Sequence, residues 1–192
     1  DFIVNAGAND IYRIRFDGAQ LKRVVQSKER EEQDVSVCED GRMIAFVTVD
    51  PVSEKHDIYV ANIDGSNARR AVEGGRARAS SVHDPELSPD NKSIVFSRVN
   101  NTVPPNFPDN KMANTASDIY TARIDGKNMQ RITRPGPIAI VPDWDKRGIL
   151  LLDASDKGKY QGAALATPAG KDQEPPIICL QASAPKWIPL QK

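Results

Sequence analysis

Asp57-Ile-Tyr-Val-Ala-Asn-Ile-Asp-Gly65 recurs twice in the chain, as Asp10-Ile-Tyr-Arg-Ile-Arg-Phe-Asp-Gly18 and as Asp118-Ile-Tyr-Thr-Ala-Arg-Ile-Asp-Gly126. In each copy an Arg follows five residues after the Gly, at Arg23, Arg70 and Arg131, and an apolar residue comes next, at Val24, Ala71 and Ile132. The alternating stretch reads as a strand, Asp-Gly as a turn that needs positive φ, and the Arg-led stretch as the returning strand.

A second unit precedes this one. Asp84-Pro-Glu-Leu-Ser-Pro-Asp-Asn-Lys-Ser-Ile-Val-Phe96 reads as strand, polar turn and strand, and Asp34-Val-Ser-Val-Cys-Glu-Asp-Gly-Arg-Met-Ile-Ala-Phe46 matches it position for position. Val141-Pro-Asp-Trp144 with Ile149-Leu-Leu-Leu152 is a third copy with a shorter turn. A full repeat thus holds four strands, A to D, and four-stranded units at intervals of roughly 40–60 residues are the mark of propeller blades. The fourth copy is divided between the chain ends. Ala184-Pro-Lys-Trp-Ile-Pro-Leu-Gln-Lys192 matches Asp84 through Lys92, and Asp1-Phe-Ile-Val4 continues it onto Ser93 through Phe96 without a gap. The expected fold is therefore all-β, a four-bladed propeller of antiparallel four-stranded blades in one domain, 1–192. Its blades are 184–192 with 1–26, then 34–73, 84–133 and 139–180, with C-terminal strand A closing onto N-terminal strands B–D. Such closure removes an exposed edge. A larger ring interrupted at matching points is the competing reading.

Leu87-Ser-Pro-Asp-Asn-Lys-Ser-Ile-Val-Phe96 and Asp57 through Gly65 together resemble the TolB-type propeller repeat, a relative of the WD repeat. The resemblance covers nearly the whole chain. It departs from the family in blade number, since TolB members usually carry six blades and another domain. It departs again around Tyr160 to Leu180, where the Asp-Ile-Tyr and Asp-Gly signatures are lost. What the resemblance implies is binding or scaffolding in a periplasmic or secreted setting, although the same blades occur in enzymes and fold alone does not fix function.

Composition narrows the classes. Lys plus Arg equals Asp plus Glu, 26 each, and the sequence pI is about 6.9. A general nucleic-acid binder needs a basic surplus, so none is expected. No apolar run reaches the ~18–20 residues of a membrane span. Cys38 and Cys179 are the two cysteines, which is neither a disulfide framework nor a metal cluster. They are expected in an inner and an outer strand of opposite blades, too far apart to bond.

The A–B and C–D turns are tight and repetitive. The B–C and D–A connections, which share the other face, are irregular: 27–33, 50–56, 74–83 and 100–116. Long non-repeating loops on a rigid ring are where binding usually lives. The longest carries three prolines and the apolar groups Val103, Phe107 and Met112, and reads as a lid or docking loop. His56 and His83 fall on the same face, and Arg76 and Arg78 beside Gly74 and Gly75 offer a grip for a carboxylate or phosphate. Asp34 and Asp84 occupy equivalent places where strands enter the channel, and Ser36, Glu86, Asp143 and Lys186 lie two residues on, on one side of their strands. Asp34, Asp84, Glu86 and Asp143 are a candidate weak Ca2+ site; no other cofactor is indicated. His83, with Asp84 and Glu86, is the candidate acid–base set if the chain is an enzyme. Trp144, Trp187, Leu87 and Val37 share one repeat position and are expected to pack between blades.

The leading expectation is a monomeric binding module that presents its loop-rich face to a protein or peptide partner. The first alternative is a lyase, hydrolase or isomerase acting on a small polar or carbohydrate substrate at the channel mouth. It lacks any Gly-x-Ser-x-Gly elbow or His-Glu-x-x-His helix, although propeller sites assemble from several blades. The second alternative is the propeller portion of a larger TolB-like protein.

Overall fold

The computed structural model describes residues 1–192 apart from 7–8, 26, 28, 77–79, 101–116, 134–137, 155–160, 169–176, 181–185 and 187–192. Every regular element among the described residues is a strand, and every pairing is antiparallel. The first sheet holds β1 (Phe2–Ala6), β2 (Asp10–Ile14) and β3 (Lys22–Arg23). The second holds β4 (Glu31–Val37), β5 (Met43–Val49), β6 (His56–Asn62) and β7 (Arg69–Val72). The third holds β8 (Val82–Leu87), β9 (Ser93–Val99), β10 (Ser117–Arg123) and β11 (Gln130–Arg131). The fourth holds β12 (Ile138–Asp145), β13 (Gly148–Ala154), β14 (Gln161–Ala166) and β15 (Ile177–Leu180). Each is a meander whose strands neighbour one another in chain order.

The sheets stack face to face, first on second, second on third and third on fourth. This explains why β5 and β9 are apolar on both faces rather than alternating: each lies inside its sheet with a neighbouring sheet on either side. Ile44, Ala45, Phe46 and Val47 are buried in succession, as are Ile94, Val95 and Phe96. Burying a Phe or Ile side chain contributes about 1.5–3 kcal/mol. Three apolar clusters fill the three seams, with Phe46 between the first two sheets, Phe96 between the second and third, and Leu151 with Ile119 between the last two.

The repeated Asp and Arg of the opening motif have a structural role. They lie 13 residues apart in sequence, and β2–β3, β6–β7 and β10–β11 bring them together within each sheet. Arg23 pairs with Asp10, Arg70 with Asp57 at 3.6 Å, and Arg131 with Asp118 at 3.9 Å. Asp57 and Asp118 are fully buried. A buried carboxylate must be paired or it is costly, so strand C supplies the acid and strand D the base. The motif glycines turn the chain at φ of about 80°, and Gly65 and Gly126 also lie against Val24 and Ala71 carbonyls of the preceding sheet.

The structure differs from the sequence reading in three respects. The innermost strands start earlier than Asp34 and Asp84: β4 begins at Glu31 and β8 at Val82, so part of each expected loop belongs to the sheet. The ladder is broken between Gln33 and Ser36, between His83 and Glu86, and between Ile140 and Asp143. Each break is a bulge with a residue at positive φ: Asp34 (48°), Asp84 (49°) and Val141 (51°). What reads as a strand start is a bulge within a strand, which re-aims the side chains that follow. Val37 is exposed, whereas Leu87 at the same place in the repeat is buried. Ring closure by residues 184–192 lies outside the described residues except for Lys186. Among the described strands, those of the first and fourth sheets do not pack on each other as neighbouring sheets do.

Candidate functional site

The three bulges place Asp34, Asp84 and Val141 around the axis where β4, β8 and β12 approach one another. Backbone N–H groups link them. The Asp84 N–H donates to Asp34 Oδ2 over a long 3.5 Å, and the Val141 N–H lies near enough to the Asp84 carboxylate to favour its charged form. Two residues on stand Glu86 and Asp143, beyond the bulges of their strands. The Lys186 ammonium meets them there, 2.6 Å from Glu86 Oε1 and 3.8 Å from Asp143 Oδ1. Ser36 completes the ring beside Glu86, though its buried hydroxyl makes no well-directed hydrogen bond.

These groups enclose a small axial cavity of about 130 Å³. Its electrostatics are uneven. Burial pushes Glu86 above the usual carboxylate range, opposed by Lys186, and Lys186 is itself held above the usual lysine value, burial being outweighed by Glu86 and Asp143. Asp84 is raised by burial and by the Asp34 charge beside it. Asp34 moves the other way. Burial raises it, but the hydrogen bond and charge of His83, the Asp84 N–H and the charge of His56 together hold it below the ordinary value. Among the described residues no group of three or more His, Cys, Asp or Glu converges as metal ligands. Glu86 and Asp143 have an ammonium between them instead, which serves the charge that a cation would have served.

Outside this ring, on the loop-rich face, the two histidines come together. Their ring centroids are 4.8 Å apart, edge to face. His83 Nδ1 is 3.5 Å from Asp34 Oδ2, and His83 Nε2 shares a hydrogen bond of 2.9 Å with Ser81 Oγ. Ser81, His83 and Asp34 thus form a hydroxyl–imidazole–carboxylate line. Ser81 is buried, however, with 1% exposure, so its oxygen has little access to a substrate. His56 has a buried Nδ1 without a partner, and its pKa is lowered by burial first and by the neighbouring His83 second.

The remaining candidates divide. Arg76 is exposed, and its backbone bridges Lys55. Gly74 does not form an anion cradle with it, because the Gly74 N–H donates to the buried Asp57 at 3.0 Å. Arg78, Val103, Phe107 and Met112 lie outside the described residues. Two groups were missed in the sequence. Ser81 was legible, two residues before His83. Glu32 was not. It belongs to a charged run, Lys28 through Asp34, in which polarity cannot separate an outward Glu31 from an inward Glu32.

No family model matches the chain, and none of the curated proteins does. Solved structures do. The putative TolB from Agrobacterium tumefaciens superposes with a TM-score of 0.60 at 17% identity, over 84% of this chain and 54% of that one. A puromycin-hydrolyzing peptidase from Mycobacterium tuberculosis gives 0.62 at 13% identity, over 92% and 28%. Oligogalacturonate lyase from Vibrio parahaemolyticus gives 0.63 at 10%, over 91% and 49%. The chain spans about half of these structures' length or less. A putative TolB, a peptidase and a lyase share one architecture here, and at these identities the likeness is one of fold: the chain is built as a β-propeller.

Proposed function

We propose that the chain is a binding module that presents its loop-rich face, with His56, His83 and Arg76, to a protein or peptide partner in a periplasmic or secreted setting. The observation that carries this reading is the size and occupancy of the channel mouth. A cavity of about 130 Å³ is well below the roughly 300–1,000 Å³ of small-molecule sites. Lys186 fills its acidic side, and both nitrogens of His83 are engaged. Surface is what this face has to offer. Val52, in the connection before His56, is almost fully exposed at 93%.

The second reading is a hydrolase or lyase, and the line from Ser81 through His83 to Asp34 favours it. One experiment separates the two. The chain is used to capture proteins from its native extract, beside a form in which residues 101–115 are replaced by a short Gly-Ser link and His56 and Arg76 by Ala. A protein held by the intact chain alone supports the binding module. Capture of nothing by either form, together with labelling of Ser81 by a fluorophosphonate, transfers the function to the enzyme reading.

A further inference from the structure

Away from the axis, between the first and second sheets, lies a cavity of about 400 Å³. Its walls are unlike those of the channel mouth. Val25 closes one side, and Phe46 and Tyr59, stacked with ring centroids 6.0 Å apart, form another. Arg30, Glu32 and Thr48 supply the polar end. The volume falls within the range of small-molecule sites, and an apolar body with a few convergent polar groups is their usual composition.

The polar end is not satisfied from within. Arg30 is committed, since its guanidinium Nη1 donates to Asp57 and to Thr48, both at 3.2 Å. Glu32 is fully buried. Its Oε1 accepts from Ser27 Oγ at 2.6 Å, but its Oε2 is shut from water and has no hydrogen-bond partner. A buried acceptor left unmade costs about 1–3 kcal/mol, and more if charged. Asp10 and Arg23, paired with each other, both lie near enough to act on Glu32, the one with negative and the other with positive charge. What Oε2 lacks is a donor in hydrogen-bond contact. A charged donor makes the stronger bond to a carboxylate, and the aromatic walls favour the same partner, because ring faces attract cations.

We propose that this cavity is a binding site for a small organic cation, a primary ammonium or guanidinium on an apolar or aromatic body. The cationic head donates to Glu32 Oε2, and the body packs on Phe46, Tyr59 and Val25. Thr48 and Arg30 restrict the head to one end, since neither has an acceptor to spare for it beyond the threonine oxygen. The site is independent of the partner-binding face, so either reading can fail without the other.

The test is calorimetric titration of the whole chain with phenethylammonium, 2-phenylethanol and phenylacetate, three probes with one ring and different heads. Saturable binding of phenethylammonium is expected, weaker by about tenfold or more for the alcohol and absent for the anion. Glu32→Gln keeps the shape and removes the charge, and should weaken phenethylammonium by about tenfold. Ala68→Trp, at an exposed position on the cavity wall, should block all three without touching Glu32. No saturation by about 10 mM ammonium, equal binding of ammonium and alcohol, or a Glu32→Gln change under about twofold each overturns the proposal. If Glu32→Gln does not fold, as judged by its circular dichroism, binding undiminished by Ala68→Trp overturns it.

Discussion

Cys38 shows how one residue can be read correctly in place and still have a role that spacing does not reveal. It stands where the next repeat has Ser88. There Ser88 Oγ donates to Asp90 at 2.7 Å and accepts the Ser93 N–H at 2.9 Å, closing the turn. Cys38 Sγ does the same, donating to Asp40 at 2.9 Å and accepting the Met43 N–H at 3.0 Å. Burial, and then the Asp40 hydrogen bond, raise the thiol above its usual pKa, which makes it a poor thiolate nucleophile. Cys38→Ser should leave stability within about 0.5 kcal/mol, whereas Cys38→Ala, which strands the Met43 N–H, should cost about 1–2 kcal/mol. Urea unfolding of the two variants checks this; an equal loss from both would mean that the sulfur only fills space.

At the scale of elements, strand order and turn positions were legible because the repeat states them three times over. Asp-Gly marks each C–D turn, and the Asp and Arg on either side of it are now seen as an ion pair closing the hairpin. The bulges were not legible. Asp34, Asp84 and Val141 share a place in the repeat, but Asp at positive φ is ordinary and Val there is rare, so no residue type announces the break. The candidate site was legible in part for the same reason. Period-two spacing put Glu86, Asp143 and Lys186 on one side, but the ammonium between the carboxylates depends on the sheets' separation, which no single strand encodes. The turn glycines allow a direct test of inter-sheet contact. A Cβ at Gly18 would meet nothing within 4 Å, whereas at Gly65 it would lie 1.8 Å from the Val24 carbonyl oxygen. Both have positive φ, so Gly18→Ala should cost about 1 kcal/mol of backbone strain. Gly65→Ala should cost at least about 2 kcal/mol more, because the second sheet must retreat from the first. Thermal melts of the pair decide it; equal shifts would mean that the seam is compliant.

For the whole molecule, the axis is where charge and stability meet. Asp84 has its carboxyl raised above 3.8 in the folded chain, by burial and by Asp34. Between 3.8 and the folded value the native state binds the proton more firmly than the unfolded chain does. Stability is therefore lost as pH rises through that window. Asp84→Asn removes this titration and can retain the contact with the Val141 N–H. The variant's melting temperature should exceed the parent's near neutrality, and the excess should shrink as pH falls toward 3.8. A difference that does not change with pH would show that Asp84 is not the group responsible.

The contacts at the bulges run one way. The acid of the second sheet accepts from the third, and the acid of the third faces the Val141 N–H of the fourth, where Val141 brings no carboxylate of its own. The link is thus a polarity, like the head and tail of a polymer. Each sheet lends an acid to the amide of the one that follows, and Val141→Asp is the single change that would give the fourth sheet the same group to lend.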